Sequence, residues 1–247
     1  MTNVSADPTR RTALVAGVLY LVTFLASIPA VFLLQPVLTD PNFIVGAGAD
    51  GQVRLGALLD LVNALAAIGT AVALFSVLKR EHEGFALGFV TTRMFEAAVI
   101  AVGVVSILAV VTLRQPGASA DEAAVLVPIG QSLVAVRDWT FVLGPGMAGL
   151  NALLFGTLLY RSRLVPRAIP ALGLIGGPIY LSSVIGIVLG LTVAGSAWQG
   201  VGGLFMFAWE AIIGLWMIFK GFDRSAPLVV ATAAESSPGR AAVAGPS

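Results

Sequence analysis

Within the apolar stretch from Phe85 to Leu113 the chain carries a guanidinium and a carboxylate one helical turn apart, in the run Thr91-Thr92-Arg93-Met94-Phe95-Glu96-Ala97. At ~100° per residue, Arg93 and Glu96 project from one face of a helix. Counted from Phe85 at ~1.5 Å per residue, they lie roughly 12 and 16 Å along it, near the middle of a ~30 Å hydrocarbon slab. Other apolar stretches carry Asp60, Asn63, Asn151 and Glu210, and the run Arg137-Asp138-Trp139 falls at an outer rim. A charge at the centre of a span costs ~2.5–3.5 kcal/mol on insertion scales, so these groups are expected to converge inside a bundle, paired or facing water. Three deep carboxylates (Asp60, Glu96, Glu210) stand against one deep guanidinium, Arg93. The surplus is relieved by carboxyls that hold protons, by Arg54 or Arg137 reaching inward, or by a bound cation. The chemistry on offer is a ligand, ion or proton site, or else a ring of ion pairs that fixes which helix packs on which.

Enzyme chemistry finds little support. His82, the single histidine, sits in a charged turn, and the chain has no cysteine. That leaves no buried histidine base, no multi-histidine metal site and no thiolate. Lys79 and Lys220 lie at helix ends, so no buried Schiff-base lysine is available, and no phosphate-cradling or dinucleotide glycine pattern occurs. We assign no catalytic residue, metal or cofactor. The net charge of +1 carries no message about nucleic acid, and without the basic stripe that such binding needs no nucleic-acid partner is expected.

The elements that position these residues follow from composition. Hydrophobic residues make up 57% of the 247 and charged residues 11%, against about 25% charged in soluble domains, and mean hydropathy is +0.95. An all-α integral membrane protein is expected, with the lipid bilayer as its main partner. After a polar cytoplasmic tail (residues 1–11), the first apolar run, Thr12 to Leu34, is too long for a cleaved signal peptide, and the residues after Arg10-Arg11 fit a twin-arginine signal poorly. It reads as a first span with Pro29 as a tolerated kink. Further spans are expected at Val53–Leu78, Phe85–Leu113, Asp138–Tyr160, Ala168–Val193 and Gln199–Phe219. Ser119-x-x-Glu122 reads as a capping box. Since Ala120 to Tyr160 is about twice one span, the reading divides it at Arg137-Asp138 and leaves Ala120 to Val136 as an outer interfacial helix. The sum is a six-transmembrane-helix bundle over residues 12–222 with an extra interfacial helix around 120–136, followed by a disordered cytoplasmic tail over 223–247.

In this layout Arg10, Arg11, Lys79, Arg80, Arg161, Arg163, Arg167, Lys220 and Arg224 share one side, which the positive-inside rule makes cytoplasmic for both termini. Gly144-Pro145-Gly146 and Gly176-Gly177-Pro178 read as helix breakers of the kind transporters use. Glycines around Glu210 (Gly203, Gly214) allow a neighbouring helix to approach, and Gly186-x-x-x-Gly190 suits a neighbouring helix, a second copy or a partner membrane subunit.

Leu55-Gly56-Ala57-Leu58-Leu59-Asp60-Leu61-Val62-Asn63-Ala64, Arg93-x-x-Glu96, Val136-Arg137-Asp138-Trp139-Thr140-Phe141, the basic turn Leu159 to Arg167 and the closing Lys220-Gly221-Phe222 share an order and spacing. Together, from about Thr12 to Phe222, they resemble the bacterial membrane family known as domain of unknown function 4386. The resemblance implies a multi-pass architecture in a bacterial cytoplasmic membrane and supplies no activity. An unknown small solute or a cation is the expected ligand, and a non-transporting scaffold or subunit is the alternative.

Overall fold

Twenty-six residues of helix open the computed structural model, which describes residues 8–230. The order is α1 (Pro8–Leu33), α2 (Gln35–Thr39), α3 (Asp50–Leu113), α4 (Ala120–Gly146), α5 (Ala148–Ser162), α6 (Ala168–Val188) and α7 (Ala197–Phe219), with no strand among the described residues. Five stretches are long and apolar enough to cross a membrane: Thr9–Leu33, Asp50–Leu113, Ala120–Ser162, Ala168–Val188 and Ala197–Phe219. Many large apolar side chains on them stay exposed, among them Leu25, Phe32, Val105, Leu204 and Phe219, as a surface facing acyl chains requires. The protein is membrane-embedded.

At ~1.5 Å per residue a straight 64-residue helix would run about three times the hydrocarbon thickness. The backbone leaves the helix at one residue, His82 (φ −161°, ψ 107°), and the two limbs fold back on one another. Ala57 and Ala64 of the first limb pack with Ala97, Ile100 and Val104 of the second. His82 Nδ1 accepts the Phe85 N–H at 3.2 Å, which caps the start of the second limb. The charged turn read at Lys79 to Gly84 is thus condensed to one non-helical residue.

Two expectations are corrected. Helix α4 runs unbroken through Arg137-Asp138, where the sequence reading divides it, and the break falls at Met147. Charged side chains do not interrupt backbone hydrogen bonds, whereas Pro145 lacks an N–H and crowds the preceding turn. The capping box is present: Ser119 Oγ accepts the Glu122 N–H, and the Glu122 carboxylate accepts the Ser119 N–H at 2.8 Å. Helix α6 likewise continues through Gly176-Gly177-Pro178. Its glycines serve contact instead: a Cβ on Gly177 would lie 2.8 Å from the Gly149 carbonyl of α5, and one on Gly176 would strike Phe205 of α7. Gly186 faces the Trp198 ring of its own chain, and Gly190, at φ +71°, ends the helix.

One end of the bundle is basic. Arg10 donates to the Met217 and Ile218 carbonyls at 3.0 and 2.5 Å, and Arg161 pairs with Glu81 at 3.3 Å. The first residues assigned to the C-terminal tail are packed there: the Asp223 N–H donates to the Leu164 carbonyl at 2.8 Å, and Ala226 and Val229 join the main core. Apolar side chains at three-residue spacing find the groove between α7 and the α5–α6 turn, which the low-complexity composition conceals. The remainder of the expected tails, residues 1–7 and 231–247, lies outside the described residues.

Candidate functional site

The site is built over an aromatic floor. Phe89 of α3 and Phe155 of α5 stack with ring centroids 4.9 Å apart, and Trp209 of α7 closes on Phe155 at 5.9 Å. These rings belong to the large core toward the basic end. Directly beside them Arg93 enters the bundle, its guanidinium carbon 5.8 Å from the Phe89 centroid and 5.5 Å from that of Tyr20 in α1. Helix α1 reaches this position because Gly17 and Gly214 let α1 and α7 touch: a Cβ on Gly17 would lie 2.7 Å from the Gly214 carbonyl oxygen. The small residues read around Glu210 therefore do admit a neighbour.

Arg93 is shared by three helices. Its Nη1 donates to Glu96 Oε2 at 3.1 Å, and its Nη2 donates to Glu210 Oε1 of α7 at 2.5 Å and to the Tyr20 hydroxyl at 3.3 Å. Asn151 Nδ2 donates to Glu96 Oε2 at 2.8 Å, and the Asn151 carbonyl oxygen accepts from the Thr92 hydroxyl. Such a fork suits a guanidinium, whose planar donors serve two carboxylates at once. The Glu96 Oε1 and Glu210 Oε2 atoms take no donor among the described residues.

Asp60 lies in a second cluster. Arg137 Nη2 donates to Asp60 Oδ2 at 2.7 Å, and the guanidinium lies 5.0 Å from the Phe141 centroid. Arg137 is 5% exposed, so it belongs to the interior and not to the rim, while Asp138 and Trp139 beside it stay exposed. Of the reliefs considered for the buried negative surplus, the inward arginine is the one observed. It neutralises Asp60 and leaves the Arg93 cluster with one carboxylate in excess.

Both clusters face one cavity of about 350 Å³, whose wall includes Asp60, Asn63, Arg93, Glu96, Arg137 and Glu210. Five of the six deep polar residues singled out from sequence therefore share it. Asn151 stands behind the wall and holds Glu96 in place, whereas half-buried Asn63 lines it and bonds to neither cluster. Tyr20, Tyr180 and Phe141 were not singled out. The signal for Tyr20 was available: Ala13, Ala16, Tyr20, Thr23 and Ser27 form a small and polar stripe at helical spacing in α1.

A family model described as Domain of unknown function (DUF4386) matches residues 15–221. The chain belongs to that family. The matched span of the DUF4386 domain contains both ion-pair clusters and every residue of the cavity wall. The chain matches no curated protein and no solved structure.

Proposed function

We propose that this DUF4386 protein handles a small solute or ion, with protonation of Glu210 or Glu96 linked to the event. The observation that carries the reading is the cavity that reaches both carboxylates where they share a single guanidinium. With all groups ionised, its wall bears two guanidiniums and three carboxylates, one net negative charge. An unpaired charge in a low-dielectric place attracts a proton or a cation. Glu96 is on the same helix as Arg93, but Glu210 arrives from α7. Neutralising Glu210 would leave Arg93 paired with Glu96 alone and loosen α7 from α3, which couples occupancy to helix position.

The topology fits six spans: α1, the two limbs of α3, the α4–α5 unit, α6 and α7. In this arrangement both termini lie on the cytoplasmic side of a bacterial cell membrane. The Arg137–Asp60 pair, consumed in one contact, favours a second reading in which buried charges only fix helix packing for a membrane scaffold or subunit. Flux in proteoliposomes separates the two. The wild type is expected to carry protons or a cation down an imposed gradient and Glu210→Gln to lose that flux. No flux for any solute, with Glu210→Gln altering thermal stability alone, would leave the packing reading standing.

A further inference from the structure

We infer that the ligand of this cavity is a lipophilic cation that enters sideways from the bilayer, a conclusion that rests on the cavity's being a binding site and adds the class of ligand it takes. Three observations converge. The guanidiniums are committed, Arg137 to Asp60 and Arg93 to two carboxylates and a tyrosine, so the charge left over on the wall is negative. Arg93 Nε and Arg137 Nε are buried without a partner among the described residues, but each guanidinium is already paired with a carboxylate, so the net charge of the wall does not favour an anion. Apart from Thr23, Ser27 and Asn63, the rest of the wall is aromatic and apolar: Phe24 and Phe207 meet edge to face at 5.1 Å, and Phe141 and Tyr180 also line it. Aromatic faces beside an uncompensated carboxylate suit a cation with an apolar body, which gains from ring quadrupoles once desolvated.

The third observation is the opening. Helix α1 packs on α3 and α7, and α4 packs on α3, but α1 and α4 make at most marginal contact with each other. The cavity wall reaches the surface beside that gap: Ile28 and Val31 of α1 and Phe141 of α4 are 46, 39 and 48% exposed, and Phe207 of the adjoining α7 is 50% exposed. At the depth of a span such exposed apolar residues face acyl chains. On the basic side the route is shut by the stacked Phe89–Phe155 floor. A molecule that dissolves in the bilayer therefore reaches Glu210 through an apolar mouth, and a hydrated inorganic ion has less use for it.

The test is equilibrium and association binding in phosphatidylcholine nanodiscs with two ions of the same shape and opposite charge, tetraphenylphosphonium and tetraphenylborate. The cation is expected to bind at one saturable site and the anion not. Glu210→Gln should weaken the cation at least about tenfold, the scale expected on losing one nearby charge at an effective dielectric of about 20. Glu96→Gln reads the same quantity if the first variant does not fold. A bulky mouth substitution, Val31→Trp, should slow association, with Leu204→Trp on the outer face of α7 as the neutral control. Competition separates the sources of such a ligand: dodecyltrimethylammonium displaces the probe if the natural molecule bears a chain, a compact arylammonium if it does not, and either supports the assignment. Equal binding of both ions, indifference to both glutamate variants, displacement by neither competitor, or an association rate unchanged by Val31→Trp would overturn it. Because the readout is binding, its failure leaves the proton-flux reading to stand or fall on its own assay.

Discussion

Removing Arg93 without shrinking its volume much isolates the contact on which the bundle's interior depends. In Arg93→Met, Glu96 and Glu210 lose the donor that reaches them at 3.1 and 2.5 Å, and one buried and one half-buried carboxylate are left with no cation between them. Breaking a buried pair by deleting one partner costs about 3–5 kcal/mol, most of it the uncompensated charge. Glu210→Gln behaves differently, because the amide oxygen still accepts from Arg93 and the Arg93–Glu96 pair is then neutral; about 1 kcal/mol, one ordinary hydrogen bond, is expected. Combined, the changes are expected to be less harmful than Arg93→Met alone by about 1–2 kcal/mol, a coupling that contacting residues show and distant ones do not. Unfolding by sodium dodecyl sulfate in mixed micelles, followed by the fluorescence of the four tryptophans, measures all four corners of the cycle. Stability of Arg93→Met within about 0.5 kcal/mol of wild type, or effects that simply add, would refute the reasoning.

Other outcomes follow from the same contacts. Arg137→Leu strands Asp60 and is expected to cost about 3–5 kcal/mol, and adding Asp60→Leu should recover most of it in the same unfolding assay. Gly17→Ala puts a Cβ 2.7 Å from the Gly214 carbonyl and should destabilise by about 1–3 kcal/mol, whereas Gly51→Ala, with nothing within 4 Å, should not. Ser225 donates its N–H and hydroxyl to Asp223 at 2.8 and 2.7 Å and holds that carboxyl below its ordinary range. The turn they form is therefore intact above the unfolded carboxyl value of about 4 and is lost as pH falls through the lower folded one. Asp223→Asn mimics the acid state at neutral pH and should speed tryptic cleavage after Arg224; an unchanged rate would count against the turn.

Much of the site could be read from spacing. Arg93 and Glu96 are three apart on one helix, and lipid's intolerance of charge forces Asp60 and Glu210 inward whatever the tertiary details. Partner choice was not legible. Whether Arg137 serves a headgroup or Asp60 depends on α4 continuing straight past it, and nothing local in Val136-Arg137-Asp138-Trp139 encodes that. Gly176-Gly177-Pro178 carries the same ambiguity, since glycine breaks a helix or admits a neighbour depending on what lies opposite. Tyr20 carries no charge that lipid would reject; the small and polar stripe of α1 marks its face, but only its bond to Arg93 gives it a role.

The account depends on ionisable groups from separate helices lining one shared interior cavity. The chain has no cysteine, so single cysteines can be placed against no background. Gly203 and Leu204 are neighbours on α7. Gly203 lines the cavity with its nearest would-be contact, the Tyr180 ring, at 3.9 Å, and Leu204 is 68% exposed on the outer face. In native membranes a small cationic thiol reagent is predicted to modify Gly203→Cys and to spare Leu204→Cys. Reaction at position 204 with none at 203 would contradict the cavity and the site built on it.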